Sequence, residues 1–272
     1  MPLRAFPYPG GKGKHADWII SHMADHNRYI EPFCGSAAVF FNKPRVKMEV
    51  LNDIDGNIVH FFKTLRNKPE SIISYLEKQP FSFQDYQRIE NSYYSSDFPQ
   101  DDVQRAAEFY FLRYSQFGAG LRANNGFARQ GKSLRSQAKA FKYSLENTEK
   151  VAHRLKDALI ESREFDWVLN YYDHEDALFY CDPPYRGTEN KYATRMMDHD
   201  RLLDLLKGLK GRFILSYDHE IEDTDFFRIE KESRYAIDRG GRSTTEYLYM
   251  NYNPKSAPLV SDENQTKMKD WL

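Results

Sequence analysis

The first 66 residues alternate twice between a strand pattern and a helical pattern, and this alternation is the strongest constraint on the fold. Residues 28–31 and 47–51 predict short buried strands. Each is followed by a turn of small and polar residues and then by a helical pattern, at 37–41 and at 58–65. Strand, turn and helix in this repeated order build a parallel sheet with helices on its faces. We therefore predict an α/β protein with a doubly wound, mostly parallel sheet.

A long helical segment without a convincing strand interrupts these strand patterns from about residue 69 onwards. Strand patterns return beyond it, at 158–162, 177–181, 212–216 and 246–252. The sheet domain is therefore expected to be discontinuous in sequence. The sheet domain is predicted to consist of residues 1–66 together with residues 146–254. The helical insert is predicted at 67–145, and a mobile tail at 255–272.

Composition excludes several classes of protein. The chain has 39 lysines and arginines against 40 aspartates and glutamates, a net charge of -1, which excludes a uniformly basic protein but not a local basic patch. Two cysteines cannot form a disulfide framework. No apolar run approaches the ~20 residues that span a bilayer, and the N-terminus lacks the apolar segment of a secretory signal. We expect a soluble, cytoplasmic protein that does not associate with membranes.

Charge is unevenly distributed along this near-neutral chain. Residues 109–145 contain seven basic residues and no acidic residue. A stretch of one sign can neutralise nucleic-acid phosphates, whereas ordinary surfaces mix both signs; the alternative is a solvated helix face. The seven residues are Arg113, Arg122, Arg129, Lys132, Arg135, Lys139 and Lys142.

The strongest functional signal is a buried strand pattern that ends in Asp182-Pro183-Pro184-Tyr185. Two prolines fix φ and hold a rigid turn, and ligands bind at the carboxyl ends of strands in open α/β sheets. The turn can aim the Asp182 carboxylate and the Pro183 carbonyl at one amino group as two acceptors. Tyr185 can offer a flat face for stacking. The alternative is an ordinary turn that ends a strand.

Three weaker motifs precede it. Gly10-Gly11-Lys12 allows a ligand close to the backbone and a cationic donor, but it does not fit a nucleotide phosphate loop. Small residues after the first strand open a helix, whose N-terminus attracts a carboxylate. Asp53 ends the second strand, where an acid typically receives ribose hydroxyls. In this order along one βαβ unit, the motifs indicate an adenosine-containing cofactor.

The motifs together resemble those of the Dam-type, alpha-group DNA adenine methyltransferases. The shared pattern is an aromatic residue before Gly-Gly-Lys, then Glu-Pro-Phe-x-Gly at 31–35, an Asp that ends strand two, and Asp-Pro-Pro-Tyr. The resemblance implies a seven-stranded methyltransferase sheet that binds S-adenosylmethionine. It also places Asp166, which precedes Trp167, where the family often has Asp-Phe beside the cofactor adenine. The cofactor residues that it implies are Tyr8, Lys12, Phe33, Gly35, Asp53, Asp166 and Asp182.

The resemblance also implies the reaction and the partners. A methyl group would pass from S-adenosylmethionine to the exocyclic amino group of an adenine that is flipped out of duplex DNA. Asp182 and the Pro183 carbonyl would hold the amino group and Tyr185 would stack on the base, while Lys12 suits the methionine carboxylate. No metal is expected. A cognate restriction endonuclease is a possible partner, and the target sequence is left undetermined.

The helical insert is expected to bind the DNA. Arg122, Asn124 and Asn125 lie in a loop with flanking glycines and are assigned to reading base edges. The phosphate contacts are assigned to Lys132, Arg135, Lys139 and Lys142, and Arg129 is also expected to bind the DNA. Other acceptors remain alternatives, namely a cytosine amino group, RNA or a protein glutamine. A non-enzymatic DNA-binding module would explain the basic insert but not Asp-Pro-Pro-Tyr.

Two further groups of residues are given ordinary structural interpretations. The histidines lack metal-ligand spacing and are expected at the surface, His15 and His199 among them. Ser216 and the three residues after it follow a strand pattern and are expected to form a turn.

Overall fold

Seven strands form one sheet in the part of the chain that the computed structural model describes. The strands are β1 (Arg28–Glu31), β2 (Met48–Asn52), β3 (Leu159–Glu161), β4 (Ala177–Cys181), β5 (Arg212–Tyr217), β6 (Phe227–Arg234) and β7 (Ser243–Met250). The described residues are 2–117, 126–128, 137–186, 197–222, 224–234 and 243–256.

The strand order across the sheet is β3-β2-β1-β4-β5-β7-β6. The first five strands in this order pair in parallel, whereas β7 pairs antiparallel with both β5 and β6. Chain order reverses between β1 and β4, so this position is the topological switch point, outside which ligands bind in open α/β sheets. The structure confirms the prediction of a doubly wound, mostly parallel, seven-stranded sheet, which is consistent with a methyltransferase fold.

Burial explains why the central strands could be predicted from the sequence. All five residues of β4 are buried, and so are the last three of β1. Parallel strands covered on both faces have continuous apolar sequences of this kind. In contrast, β6 was not predicted, because it lies at the edge of the sheet and alternates a few apolar residues with charged ones.

Helices cover both faces of the sheet. The described helices are α1 (Ala16–Ile20), α2 (Ala38–Asn42), α3 (Gly56–Asn67), α4 (Pro69–Lys78), α5 (Phe83–Tyr94), α6 (Asp102–Ser115), α7 (Gln137–Leu155), α8 (Phe165–Tyr172) and α9 (His199–Lys207). Helix α8 was not predicted. None of the helices in the described residues is both long and apolar enough to cross a membrane.

The helices between β2 and β3 share a core with the sheet. Helix α3 packs against α6, and the buried Phe6 ring contacts Phe61 and Phe109 with centroids 5.4 and 5.2 Å apart. Phe6 therefore anchors the N-terminal arm in the core. Helix α7 runs through residue 145, where the insert was predicted to end, and the domain boundaries stay predictions.

A buried ion cluster joins α7 to the sheet. Glu49 on β2 accepts hydrogen bonds from Lys43 at 2.6 Å and from both terminal nitrogens of Arg154, at 2.5 and 2.7 Å. The Arg154 guanidinium also lies 3.8 Å from the centroid of the Phe40 ring. Burial lowers the pKa of Lys43 to about 8, with Glu49 acting in the opposite direction. The cluster holds the C-terminal end of α7 against β2.

Arg113 was counted among the basic residues of the stretch 109–145, but it does not lie on the surface of the protein. Its side chain is 1% exposed and donates to Gln116 at 2.9 Å. The guanidinium lies 5.3 Å from the ring centroids of both Tyr93 and Phe109. Counting charges along a sequence could not reveal this, because α6 is buried on nearly all sides and a planar guanidinium packs well between aromatic rings.

Candidate active site

A cavity of about 570 Å³ opens at the carboxyl ends of the parallel strands. The N-terminal arm, the segments after β1, β2 and β4, and the start of α8 all contribute to its lining. It lies at the switch point between β1 and β4, where an α/β sheet offers a crevice. The structure brings all the expected cofactor residues to its wall, namely Tyr8, Lys12, Phe33, Gly35, Asp53, Asp166 and Asp182.

The N-terminal arm turns Lys12 into the protein. Gly10 has a φ of 68°, and the Gly11 N–H donates to the Tyr8 carbonyl at 3.1 Å, so the arm makes a tight turn. Lys12 is only 4% exposed and donates to the Gly10 carbonyl at 3.1 Å and to Asp182 Oδ1 at 2.7 Å. The sequence assigned Lys12 to a cofactor carboxylate. In the structure its ammonium is paired with Asp182, because a buried cation requires a close anion.

Gly35 makes a close contact in the turn after β1. Its φ of +48° lies in the left-handed region, and its N–H donates to Asp53 Oδ2 at 2.8 Å. A Cβ at this position would lie 2.7 Å from the Tyr8 ring. Asp53 also accepts the Asp55 N–H at 2.9 Å. Burial raises the pKa of Asp53 to about 7, and the charge of Asp55 raises it further, against the backbone hydrogen bonds that lower it.

Phe165 lies in the cavity, and this position was missed in the sequence. Its ring lies 5.6 Å from that of Phe33, centroid to centroid, and both rings line the wall. Trp167 points elsewhere, since it stacks on Tyr171 at 4.5 Å and is 39% exposed. Asp166 pairs with Arg201 at the cavity wall. Asp166 therefore lines the cavity, but the aromatic residue beside it in the wall is Phe165, which precedes it in the chain, and not Trp167.

The Asp-Pro-Pro-Tyr turn places its acid and its tyrosine side by side. The Asp182 side chain is 20% exposed, and Oδ1 accepts from Lys12 and, at 3.4 Å, from the Tyr185 hydroxyl. Burial raises the pKa of Asp182 to about 6, Lys12 lowers it and Glu246 raises it. Pro184 lines the cavity, while Pro183 is buried. Tyr185 packs beside Tyr217, with ring centroids 5.5 Å apart.

Comparison with known proteins decides the family. A family model described as D12 class N6 adenine-specific DNA methyltransferase matches residues 8–241. The chain belongs to this family. The match extends from the N-terminal arm past Asp182, and it therefore includes every strand of the parallel part of the sheet. The resemblance to Dam-type enzymes is confirmed, and so is the prediction of an adenine-specific DNA methyltransferase.

Relatives of this D12 methyltransferase have names that agree with the family. The chain is 26% identical over 275 residues to the type II methyltransferase M.CviBI of Paramecium bursaria Chlorella virus NC1A, covering 90% of this chain and 98% of that protein. It is 24% identical to the DNA adenine methylase of Haemophilus influenzae, covering 81% and 80% of the two chains. The substrate is DNA, and the family reaction requires a methyl donor.

A buried acid that contacts the Asp-Pro-Pro-Tyr turn of this methyltransferase was missed. Glu246 on β7 is 5% exposed and accepts from the Tyr185 hydroxyl at 2.6 Å and from Ser216 at 2.7 Å. Ser216 ends the strand predicted at 212–216 and lies within β5, which continues to Tyr217, a residue expected in the following turn. The only signal in the sequence was an acid within an otherwise apolar and aromatic strand pattern. The role of Glu246 depends on which side chains the neighbouring strands place beside it.

Two buried polar groups in the methyltransferase cavity were also missed. Glu31 ends β1 and accepts from Tyr29 at 2.6 Å and from the Phe40 N–H at 2.9 Å. Burial raises the pKa of Glu31 to about 8, against the hydrogen bonds from Tyr29 and Phe40, which lower it. Tyr180 lines the same cavity, and its hydroxyl is buried.

The histidine prediction was wrong at three positions of this methyltransferase. His15 is 5% exposed, and His26 and His199 are each 6% exposed. His199 Nδ1 is hydrogen bonded to the Tyr217 hydroxyl, and burial lowers the pKa of His15. All three were expected at the surface because sequence spacing excludes a metal motif but carries no information on burial.

The predicted DNA-binding residues are only partly covered by the structure. Lys139 and Lys142 lie on α7 and are exposed. The others lie outside the described residues, namely Arg122, Asn124, Asn125, Arg129, Lys132 and Arg135.

Proposed function

We propose that the cavity binds S-adenosylmethionine and that Asp182 and the Pro183 carbonyl hold the amino group of the target adenine. The single observation that carries this proposal is the convergence of the arm, the β1 and β2 termini and the Asp-Pro-Pro-Tyr turn on one cavity of about 570 Å³. A cavity of this size is in the range of small-molecule sites. The family reaction supplies the requirement for a methyl donor.

The residues present fit this cofactor. The Asp53 carboxylate already accepts two backbone N–H groups, and its remaining lone pairs can accept ribose hydroxyls. The Phe33 and Phe165 rings provide apolar surface for a flat base. When bound, S-adenosylmethionine supplies a methyl group on a positively charged sulfur, which is an already activated donor.

The contribution of the chain is then mainly to position the acceptor. The lone pair of the adenine amino nitrogen is delocalised into the ring. Hydrogen bonds from its two protons to Asp182 and to the Pro183 carbonyl favour tetrahedral geometry at nitrogen and direct the lone pair. The two prolines restrict the turn that carries both acceptors. Positioning of this kind can supply much of a rate enhancement.

The pH dependence of the reaction follows from this role. We expect kcat at saturating cofactor to fall as pH drops through about 6, because the carboxylate of Asp182 becomes protonated near its raised pKa of about 6 and loses its strength as an acceptor. A pH profile of single-turnover methyl transfer measures this. An acid limb near the ordinary aspartate pKa of about 4 would contradict it.

Gly35 provides a test of the cofactor site. We expect Gly35→Ala to weaken S-adenosylmethionine binding by about tenfold or more, because the new Cβ would displace the Tyr8 ring from the cavity wall. Calorimetry measures the affinity. Gly13→Ala is the matched control, since a Cβ at Gly13 meets no heavy atom within 4 Å. Equal affinity in the two variants would contradict the proposed contact.

The target adenine is proposed to leave the DNA helix. Asp182 is mostly buried at the cavity, and a base that remains paired inside a duplex cannot reach it. Tyr185 is assigned to stacking on the base. The predicted base-reading residues, Arg122, Asn124 and Asn125, and the predicted insert at 67–145 remain proposals for target recognition. Pairing with a restriction endonuclease stays a prediction.

Lys139 and Lys142 are proposed to contact DNA phosphates, with Arg129, Lys132 and Arg135 beside them in sequence. We expect each Lys→Ala variant to weaken binding to cognate and scrambled duplexes equally and to lower the salt slope by about one. Lys207→Ala, at an exposed position on α9, is the control. Unchanged binding of both α7 variants at every salt concentration would contradict the assignment.

The overall function is tested by methylation-aware sequencing of DNA from a host that expresses the protein. The expected result is N6-methyladenine at one short target sequence in cells with the parent protein and none in cells with Asp182→Ala. Modification of cytosine, or an equal pattern in both cultures, would overturn the proposal. Calorimetric titration of the purified chain with S-adenosylmethionine tests the cofactor separately.

A further inference from the structure

Glu246 is a buried carboxylate whose described partners all belong to the active site. The Tyr185 and Ser216 hydroxyls donate to its Oε1 at 2.6 and 2.7 Å, and the Lys12 ammonium lies 3.5 Å from the same oxygen. The Glu246 side chain is 5% exposed. A carboxylate so little exposed is costly without donors and a cation, and both are supplied here by residues around Asp182.

The sheet places Glu246 at this point. Strand β7 pairs antiparallel with β5, and Ser216 lies opposite Leu248. Glu246 lies two residues before Leu248 on β7. Its side chain is therefore on the same face of the sheet as that of Leu248, and diagonal to Ser216. The N-terminal arm, the Asp-Pro-Pro-Tyr turn, β5 and β7 therefore converge on one carboxylate.

We propose that Glu246 is a positioning residue for methyl transfer, which holds the Tyr185 hydroxyl and the Lys12 ammonium and thereby keeps Asp182 available to the adenine amino group. This inference rests on the proposed role of Asp182 and assigns a function to a residue outside the sequence motifs.

The first physical reason for this role is competition between hydrogen-bond donors for the carboxylate of Asp182. The Tyr185 hydroxyl lies 2.6 Å from Glu246 but 3.4 Å from Asp182 Oδ1, so its proton is donated mainly to Glu246. Without Glu246 this hydroxyl would turn to Asp182 and occupy a lone pair that the adenine amino group needs. Glu246 therefore acts by keeping a competing donor away.

Charge balance is the second reason. Lys12 lies between two carboxylates, at 2.7 Å from Asp182 and 3.5 Å from Glu246. One cation against two anions leaves a net negative charge, which favours an amino group that develops positive charge as it is methylated. The titratable groups that face this cluster are Lys12, His15, Glu31, Tyr180, Asp182, Tyr185 and Glu246.

The test compares Glu246→Gln with the parent protein. We expect kcat to fall about tenfold or more, with the affinities for S-adenosylmethionine and DNA unchanged. The acid limb of kcat should also move to lower pH, because the negative charge of Glu246 raises the pKa of Asp182 and the variant removes that charge. A purely structural role would lower the melting temperature without moving the limb.

Tyr185→Phe gives a second measurement that does not depend on Glu246→Gln folding well. It removes the hydroxyl that Glu246 holds, so the double variant should lose less than the product of the two single losses. Tyr247→Phe, at the next position on β7, is the matched control and should keep the parent kcat and pH profile. Independent, multiplicative effects of the two single changes would overturn the inference.

The proposed function and this inference fail in different ways. If Asp182→Ala retains parent turnover, the role of Asp182 is wrong. If Asp182→Ala is inactive while Glu246→Gln has the parent kcat and acid limb, only the role of Glu246 is wrong. Loss of kcat in Glu246→Gln with a shifted limb and unchanged cofactor affinity supports the inference.

Discussion

Replacing Asp182 by alanine is expected to reduce methyl transfer by about three orders of magnitude or more. The variant removes one of the two proposed acceptors for the adenine amino group and also the 2.7 Å partner of Lys12. Removing a single preorganised group that acts on the transition state commonly costs about 100- to 1,000-fold, and here the charge balance of the site is lost as well. The single-turnover rate on duplex DNA at saturating cofactor measures the effect.

The control for this prediction is Asp204→Ala, which removes an exposed acid on α9. Thermal unfolding of the Asp182 variant should give a single transition, so that inactivity can be separated from misfolding. Near-parent turnover by a folded Asp182→Ala protein would overturn the mechanism. Asp182→Asn keeps one acceptor oxygen but no charge, and we expect a rate between those of the parent and the alanine variant.

The second large effect is expected on stability, at Glu49. Glu49→Ala should lower the free energy of unfolding by about 3–5 kcal/mol, because it leaves the buried ammonium of Lys43 and guanidinium of Arg154 without their anion. In a chain of this size that loss lowers the melting temperature by roughly 6–20 °C. Urea titration and calorimetry measure the two quantities.

Glu230→Ala serves as the control for Glu49, because Glu230 is an exposed acid on β6. It should change the free energy of unfolding by no more than about 0.5 kcal/mol. If Glu49→Ala were equally mild, the buried cluster would not stabilise the fold. Arg154→Ala combined with Glu49→Ala should be less damaging than the sum of the two single changes, since the partners are in direct contact.

The Glu49 cluster also connects the two proposed functional parts of the molecule. Arg154 lies near the end of α7, the helix that carries Lys139 and Lys142, and Glu49 lies on β2, which leads to Asp53. The ion pairs therefore fix the proposed DNA-contacting helix to the strand that ends at the proposed cofactor cavity. None of the three ionic residues belongs to a motif in the sequence.

Much of the fold was predictable, and the reason is local. Strand β1 was predicted at its observed bounds and so was β4, because strands buried on both faces have short apolar sequences with clear turns after them. The motif residues were also predicted to meet. Tyr8, Gly35, Asp53 and Asp182 lie on one cavity because carboxyl ends of parallel strands share one edge of the sheet.

Predictions failed where burial or a distant partner decides the role of a side chain. Arg113 was counted as a surface charge and is enclosed by aromatic rings. Tyr217 was assigned to a turn and lies in β5. The edge strand β6 and the short helix α8 were not predicted, because neither has a long apolar pattern.

The sequence alone determined the parallel strands of the sheet and the residue types at the cavity, since strand periodicity, proline and glycine geometry and side-chain chemistry all act over a few neighbouring residues. Only the tertiary structure decided how those side chains pair. Lys12 and Asp182 are 170 residues apart in the chain, and Tyr185 and Glu246 are 61 apart. Each pair forms because burial removes water from the charged or polar groups, and a buried group bonds to whichever partner the packed sheet brings within reach.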